Sequence, residues 1–259
     1  MKDYKSSYDN IFQAGNLDSP EWLYSFIQPE STVLDVGCST GNLGERLIQD
    51  KRCRVTGLDF DSRALKKAAE KLHETILLDL EREYYHDFSG LRTVLNERRF
   101  DYIVMGDIYE HLKNGPSILM ELASYLEPQG QVAISIPNIQ HFICRRKMLF
   151  GSFHYQNEGI LDATHCRFFT ISSFYREMQD LGFDIDEMKY VGKLFFNHRA
   201  LLYYLMRCFL PTRKMYCWLQ HKAARFLPSL FAFQSVALMH IKQTSRHEVE
   251  KNGEKVYEK

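Results

Sequence analysis

Five short apolar runs punctuate the first half of this chain, and each closes on an acid, a glycine or an asparagine. They are TVLDVG (32–37), RVTGLD (54–59), TILLD (75–79), FDYIVMGD (100–107) and GQVAISIPN (130–138). Helix-type segments separate them. NLGERLIQD follows the first, and DSRALKKAAEKLH, with Asp61 or Ser62 as N-cap, follows the second; a helix near 115–126 follows the fourth. TISSFYREMQDLGF, capped by Thr170 or Ser172, comes later and leads into a sixth run, DIDEMKYV, and two short helices over 4–27 precede the first run. Runs this rich in Val, Ile and Leu suit strands buried on both faces. Their alternation with helices of about ten to fifteen residues predicts an α/β fold, a doubly wound and mostly parallel sheet. Ligands in such sheets bind beyond the carboxyl ends of the strands, where strand order reverses. The last residue of each run is therefore where chemistry is expected.

The chain's 259 residues fit one domain with an elaboration, and 45% hydrophobic residues suffice for a core. Its six cysteines (Cys38, Cys53, Cys144, Cys166, Cys208, Cys217) form no CxxC pair, so they read as reduced thiols and no metal site is expected. MKDYKSSYDN lacks an apolar leader, and no stretch reaches the roughly 18 apolar residues of a membrane span. These features predict a cytoplasmic protein.

The loop VLDVGCSTGNLG places Gly37, Gly41 and Gly44 directly after the first run. A dinucleotide fingerprint needs glycine at the position of Ser39, and a phosphate-binding loop needs Gly-Lys-Ser/Thr. Neither is present. The loop resembles the first motif of the class I S-adenosylmethionine-dependent methyltransferases, carried here by Asp35, Gly37, Ser39 and Gly41. That cofactor presents an ammonium and a carboxylate instead of a pyrophosphate. The resemblance implies that Asp35 reaches the ammonium while the glycines let the backbone pass close. It also implies Asp59 on the ribose hydroxyls, Phe60 against the adenine, Asp79 facing the adenine amino group and Leu80 donating its backbone N–H. Cys38, Asn42, Gly106 and Asp107 complete the implied cofactor contacts. FDYIVMGDIYEHL resembles the family's fourth motif, so the likeness extends over roughly residues 30–192 and rests on motif order.

Methyl transfer from a sulfonium is an in-line displacement, and a hydroxyl nucleophile is helped by a general base. Three candidates stand near the fourth strand and in GILDATHCRFFT: His165, His111 and Asp107. His111, in YEHL, can instead order its loop. His165 can pair with Asp162 as base and orienter, or cap the following helix. The family's RNA-3′-end branch uses a Glu/His metal cluster with adjacent histidines, whereas YEHLKN supplies one histidine. Arg145, Arg146 and Lys147, within an aromatic segment, suit either an anionic acceptor or a solvated helix face.

From Met188 to His247 there is no acid and there are ten Lys or Arg, so the rest of this neutral chain sums to minus ten. In the family the sheet finishes with an antiparallel hairpin. The implied organisation is a Rossmann-like seven-stranded core over 1–192, a basic, aromatic helical insertion over 193–232 broken at Pro211 and near Pro228, a last strand over 233–242, and a polar tail over 243–259. The insertion can pack on its own core, lie on an anionic membrane surface, or dock a partner, including a second copy of the chain. No nucleic-acid module is recognisable. The resemblance as a whole implies methyl transfer from S-adenosyl-L-methionine to a small-molecule or lipid-linked sugar hydroxyl, in glycan biosynthesis. The rival readings are a natural-product or quinone-type acceptor, and a non-catalytic cofactor-binding subunit.

Overall fold

The computed structural model describes residues 18–193 and 213–242. The chain ahead of Asp18, residues 194–212 of the expected insertion, and the expected tail lie outside the described residues. The order is α1 (Ser19–Phe26), β1 (Thr32–Val36), α2 (Asn42–Lys51), β2 (Arg54–Asp59), α3 (Ser62–Ala68), β3 (Glu74–Leu77), α4 (Leu80–Tyr85), α5 (Ser89–Leu95) and β4 (Phe100–Gly106). A 3-10 turn (Tyr109–His111) precedes α6 (Gly115–Ala123), β5 (Leu126–Pro137), α7 (Phe142–Leu149), α8 (Ile171–Asp180), β6 (Phe183–Gly192), α9 (Arg213–Phe226), α10 (Pro228–Phe231) and β7 (Ala232–Ile241).

The seven strands form one sheet in the order β3-β2-β1-β4-β5-β7-β6. β1 to β5 pair in parallel, and β7 runs antiparallel to both β5 and β6. This is the expected doubly wound sheet with a terminal antiparallel hairpin. Strand order reverses between β1 and β4, and the region beyond Val36 and Gly106 is where sheets of this kind form their ligand crevice.

Side chains alternate across a strand, and β1 shows the consequence. Leu34 and Val36 join one buried cluster with Leu58, Ile103, Met105, Leu119 and Phe174. Val33 joins the other with Leu23, Leu47, Val55, Leu65 and Val104. The strand is therefore apolar along its length, except for Asp35, which parity sends to the side of α1 to α3.

The helix boundaries have local causes. Asp61 accepts from the Arg63 N–H to start α3, and Thr170 with Ser173 forms a capping box on α8. α2 ends where Arg52 turns left-handed and its N–H returns to the Leu47 and Ile48 carbonyls. Some boundaries differ from expectation. α3 stops at Ala68 instead of His73, because Leu72 turns in against the α2–β2 contact, where it closes over Gly41, Gly44 and Gly57. β3 ends at Leu77, and Asp79 leaves the sheet to cap α4. α4 and α5 fill a segment with no expected element, and β7 starts at Ala232.

Gly57 matters by its size. A Cβ there would lie 2.6 Å from Leu72 Cδ1 and 2.7 Å from Cys38 Sγ. Overpacking of this kind typically costs about 1–3 kcal/mol. Gly57→Ala should lower unfolding free energy by about that amount in a urea titration; an unchanged midpoint would show that Leu72 and Cys38 yield freely.

Candidate functional site

The loop after β1 is shaped by three successive left-handed positions, Gly37 (φ 72°), Ser39 (φ 48°) and Gly41 (φ 76°). Such angles favour glycine, and Gly37 has a second constraint: a Cβ would fall 2.2 Å from Ile108 Cδ1. The turn is tied to β2, with Gly37 N–H donating to the Leu58 carbonyl at 2.7 Å and Ser39 N–H to Asp59 Oδ2 at 2.8 Å. Gly41 then serves as the N-cap of α2.

Two acids face this turn. Asp35 is buried, and its pKa is pushed up to about 7, first by loss of solvent and then by the neighbouring Asp59 charge. Asp59 ends β2 and also receives the Asp61 N–H at 2.9 Å. Phe60, the next residue, is 74% exposed. Asp79 is exposed and caps α4 by accepting from the Glu81 and Arg82 N–H groups, while the Leu80 side chain is buried at the first position of that helix. Cys38 is buried under the turn, where burial and the nearby acids push its thiol pKa up. Asn42 accepts from Lys71 Nζ. The structure thus brings Asp35, Gly37, Cys38, Ser39, Gly41, Asn42, Asp59 and Phe60 to one edge of the sheet, with Asp79 and Leu80 beside them after β3.

Gly106 and Asp107 end β4 across the crevice. Asp107 is left-handed (φ 53°) and its carboxylate is held on both oxygens. Ser135 Oγ donates to Oδ1 at 2.6 Å, and Gln234 Nε2 donates to Oδ2 at 2.9 Å. Ser19 Oγ lies 3.5 Å from Oδ2. Sequence reasoning missed Ser135 and Gln234; each lies on an inner strand where a polar residue interrupts an apolar run, and that interruption was the available signal.

The 3-10 turn brings the histidines together. The Cys166 and Arg167 N–H groups both donate to the Glu110 carbonyl, at 2.9 and 3.1 Å, which docks the DATH segment against the turn. From below, Tyr109 and Arg167 both bond Glu177 of α8. The His111 and His165 rings meet edge to face, 4.8 Å between centroids. His111 Nδ1 lies 3.2 Å from the Thr164 carbonyl and His165 Nδ1 3.1 Å from the Ile160 carbonyl. A carbonyl only accepts, so each Nδ1 carries a proton, and Nε2 is the nitrogen that bears the lone pair of the neutral ring. The His165 pKa is lowered, chiefly by burial and then by His111. His165 does not cap α8, which Thr170 does, and Asp162 receives the Thr164 N–H and hydroxyl. The carboxylate beside His165 is Glu110, whose Oε1 is 3.8 Å from Nε2. Glu110 is 1% exposed, and burial followed by Asp107 raises its pKa well above the carboxylate range.

α7 begins nearby. Arg145 binds the Gln140 and Ser229 carbonyls, while Arg146, Leu149, Phe150, Phe153 and Tyr155 are exposed. No helix among the described residues is long and apolar enough to cross a membrane. Cys38, Cys53, Cys144 and Cys166 are free thiols.

A family model described as a methyltransferase domain matches residues 16–188. The ribosomal protein L11 methyltransferase of Burkholderia mallei is 35% identical over 118 residues, which cover 44% of this chain and 35% of that protein. A ubiquinone biosynthesis O-methyltransferase of Actinobacillus pleuropneumoniae is 30% identical over 107 residues, covering 41% of this chain and 45% of that protein. The matched segments thus span under half the length of these curated relatives. Among solved structures, coclaurine N-methyltransferase bound to N-methylheliamine and SAH superposes with TM-score 0.53 at 15% identity, covering 86% of this chain and 70% of that one. A SAM-dependent methyltransferase from Archaeoglobus fulgidus gives 0.51 at 17% identity, covering 86% and 94%. The chain belongs to the methyltransferase-domain family, and its fold is that of the class I S-adenosylmethionine-dependent methyltransferases.

Proposed function

We propose that this chain transfers the methyl group of S-adenosyl-L-methionine to a hydroxyl of a small-molecule acceptor, a lipid-linked sugar being the leading class. The observation that carries the reading is the placement of Asp35, Asp59 and the left-handed turn at one side of the switch point, with the His111 and His165 imidazoles meeting at the turn after β4 on the other. In the transfer, the acceptor oxygen attacks the methyl carbon, the carbon–sulfur bond breaks, and its electron pair stays on sulfur as a neutral thioether. The hydroxyl proton passes to a base. His165 and His111 keep free Nε2 lone pairs for it, whereas both Asp107 oxygens already accept hydrogen bonds. The exposed Arg146, Leu149, Phe150, Phe153 and Tyr155, at the end of α7 and just beyond it, suit an anionic or lipid-bearing acceptor. A quinone-type acceptor is the second reading, favoured by the likeness to a ubiquinone biosynthesis O-methyltransferase. Labelled cofactor offered with lipid-linked glycan and quinol fractions separates the two; label in neither fraction, with cofactor bound, would favour the non-catalytic reading.

Asp59→Ala removes the proposed ribose acceptor and the anchor of the Ser39 N–H. Calorimetry should show cofactor affinity falling by about 100-fold or more, the scale of two charge-assisted hydrogen bonds. Unchanged affinity would place the ribose elsewhere.

Asp35 makes cofactor binding pH-dependent. Without cofactor its raised pKa favours the protonated carboxyl, so the stability it confers is full below about pH 4 and is lost as pH rises through about 7. The cofactor ammonium selects the ionised form. Affinity should therefore rise with pH, by up to about tenfold per unit, and level off near pH 7. A flat profile between pH 5.5 and 8, or a pH dependence that Asp35→Asn retains, would remove Asp35 from the ammonium (a window set by the value of about 7).

His165→Ala should lower turnover by about 10²–10⁴-fold, with cofactor affinity within about twofold. Unaltered turnover would return His165 to loop packing.

A further inference from the structure

A general base needs one lone pair, and the turn after β4 presents more than one. Nε2 of His165 and Oε1 of Glu110 are 3.8 Å apart, too far for a hydrogen bond. Ligand atoms from Glu110, His111 and His165 all lie within 4.8 Å of one another. Glu110 Oε2 is buried and has no hydrogen-bond partner, a state that buried carboxylate oxygens rarely occupy. Both imidazoles have their Nδ1–H tied to a backbone carbonyl, Thr164 for His111 and Ile160 for His165. That is how metal-ligating histidines are commonly fixed, with the second nitrogen turned inward.

We propose that Glu110, His111 and His165 bind one divalent first-row cation through the carboxylate and the two Nε2 atoms. The inference rests on the transferase reading and changes the two histidines from proton acceptors to ligands. Two imidazoles and a carboxylate suit Zn²⁺, Fe²⁺, Co²⁺ or Mn²⁺ over Mg²⁺ or Ca²⁺. A tetrahedral ion with ligands at about 2.0–2.1 Å needs donor pairs about 3.3–3.4 Å apart. The His165–Glu110 pair is within half an ångström of that, a side-chain rotation away. A cation would also satisfy Glu110 Oε2. Three protein ligands leave coordination positions open, as catalytic sites do and closed structural sites do not. The exposed side of His111 gives an entry path. The acceptor hydroxyl would take an open position and lose its proton to solvent more readily, since a bound cation lowers the pKa of oxygen ligands. His165 lies 54 residues from His111, from the two positions (165 − 111), so no local spacing signals the set.

The test uses the full chain, stripped with a chelator and titrated with Co²⁺ by absorption and calorimetry, with cofactor binding measured separately. The expected result is 1:1 cobalt binding with visible ligand-field bands. Glu110→Gln and His111→Ala should each weaken it by more than about 100-fold, while cofactor affinity stays within about twofold. His111 is part-exposed, so its variant keeps the test usable if the buried Glu110 variant fails to fold. Absence of cobalt and of zinc binding at millimolar metal overturns the proposal, as does 1:1 binding that both variants retain. Lost cofactor binding in the unaltered chain would sink the transferase reading instead, and the cobalt result would still decide the cation site.

Discussion

The site depends on the coupling between the turn after β1 and the end of β2. Left-handed backbone at residues 37, 39 and 41 is unfavourable for most side chains, yet the turn is held there by bonds to the Leu58 carbonyl and the Asp59 carboxylate. Two acids are thereby packed side by side at low exposure, a costly arrangement without a cation between or near them. The parallel pairing of β1 with β2 and β4 fixes the turn's position relative to Ile108, whose side chain fills the space that Gly37 leaves.

The same logic recurs on the other side of the crevice. A buried glutamate keeps its carbonyl bonded to the 166–167 backbone while its carboxylate faces two imidazoles. Tyr109, Glu177 and Arg167 support that turn from the helical layer, with Arg167 stacked 4.9 Å from the centre of the Phe169 ring. Secondary structure thus holds both edges, and among the groups left open to solvent are Phe60, Asp79, the exposed residues of α7 and the outer side of His111.

Much of the fold was legible because strands buried on both faces leave a simple signature. Short Val/Ile/Leu runs, each closed by an acid or glycine, can hardly be arranged except as parallel strands with ligand-side ends. The cofactor edge was legible for the same reason, since Asp35, Asp59 and the glycines are close in sequence to the strands that carry them. The acceptor edge was less so. His111 and His165 were each visible, but their meeting depends on two N–H groups finding one carbonyl across more than fifty residues, and no local pattern encodes that. Glu110 was not singled out because YEHL reads as a loop-ordering pair, and the burial of the glutamate side chain comes from tertiary packing that the segment does not encode. The early end of α3 was missed because helix propensity continues past Ala68, and packing of Leu72 against three glycines outweighs it.

β7 comes last in the described chain yet lies between β5 and β6, and from there Gln234 reaches Asp107. During synthesis, β6 therefore emerges before the strand it must pair with, and β5 keeps a bare hydrogen-bonding edge until residues near 241 leave the ribosome. Such an edge is a template for wrong partners. The reactive side of this protein is thus completed by the last of its described strands, so a nascent chain holds most of the cofactor turn well before it holds a finished acceptor side.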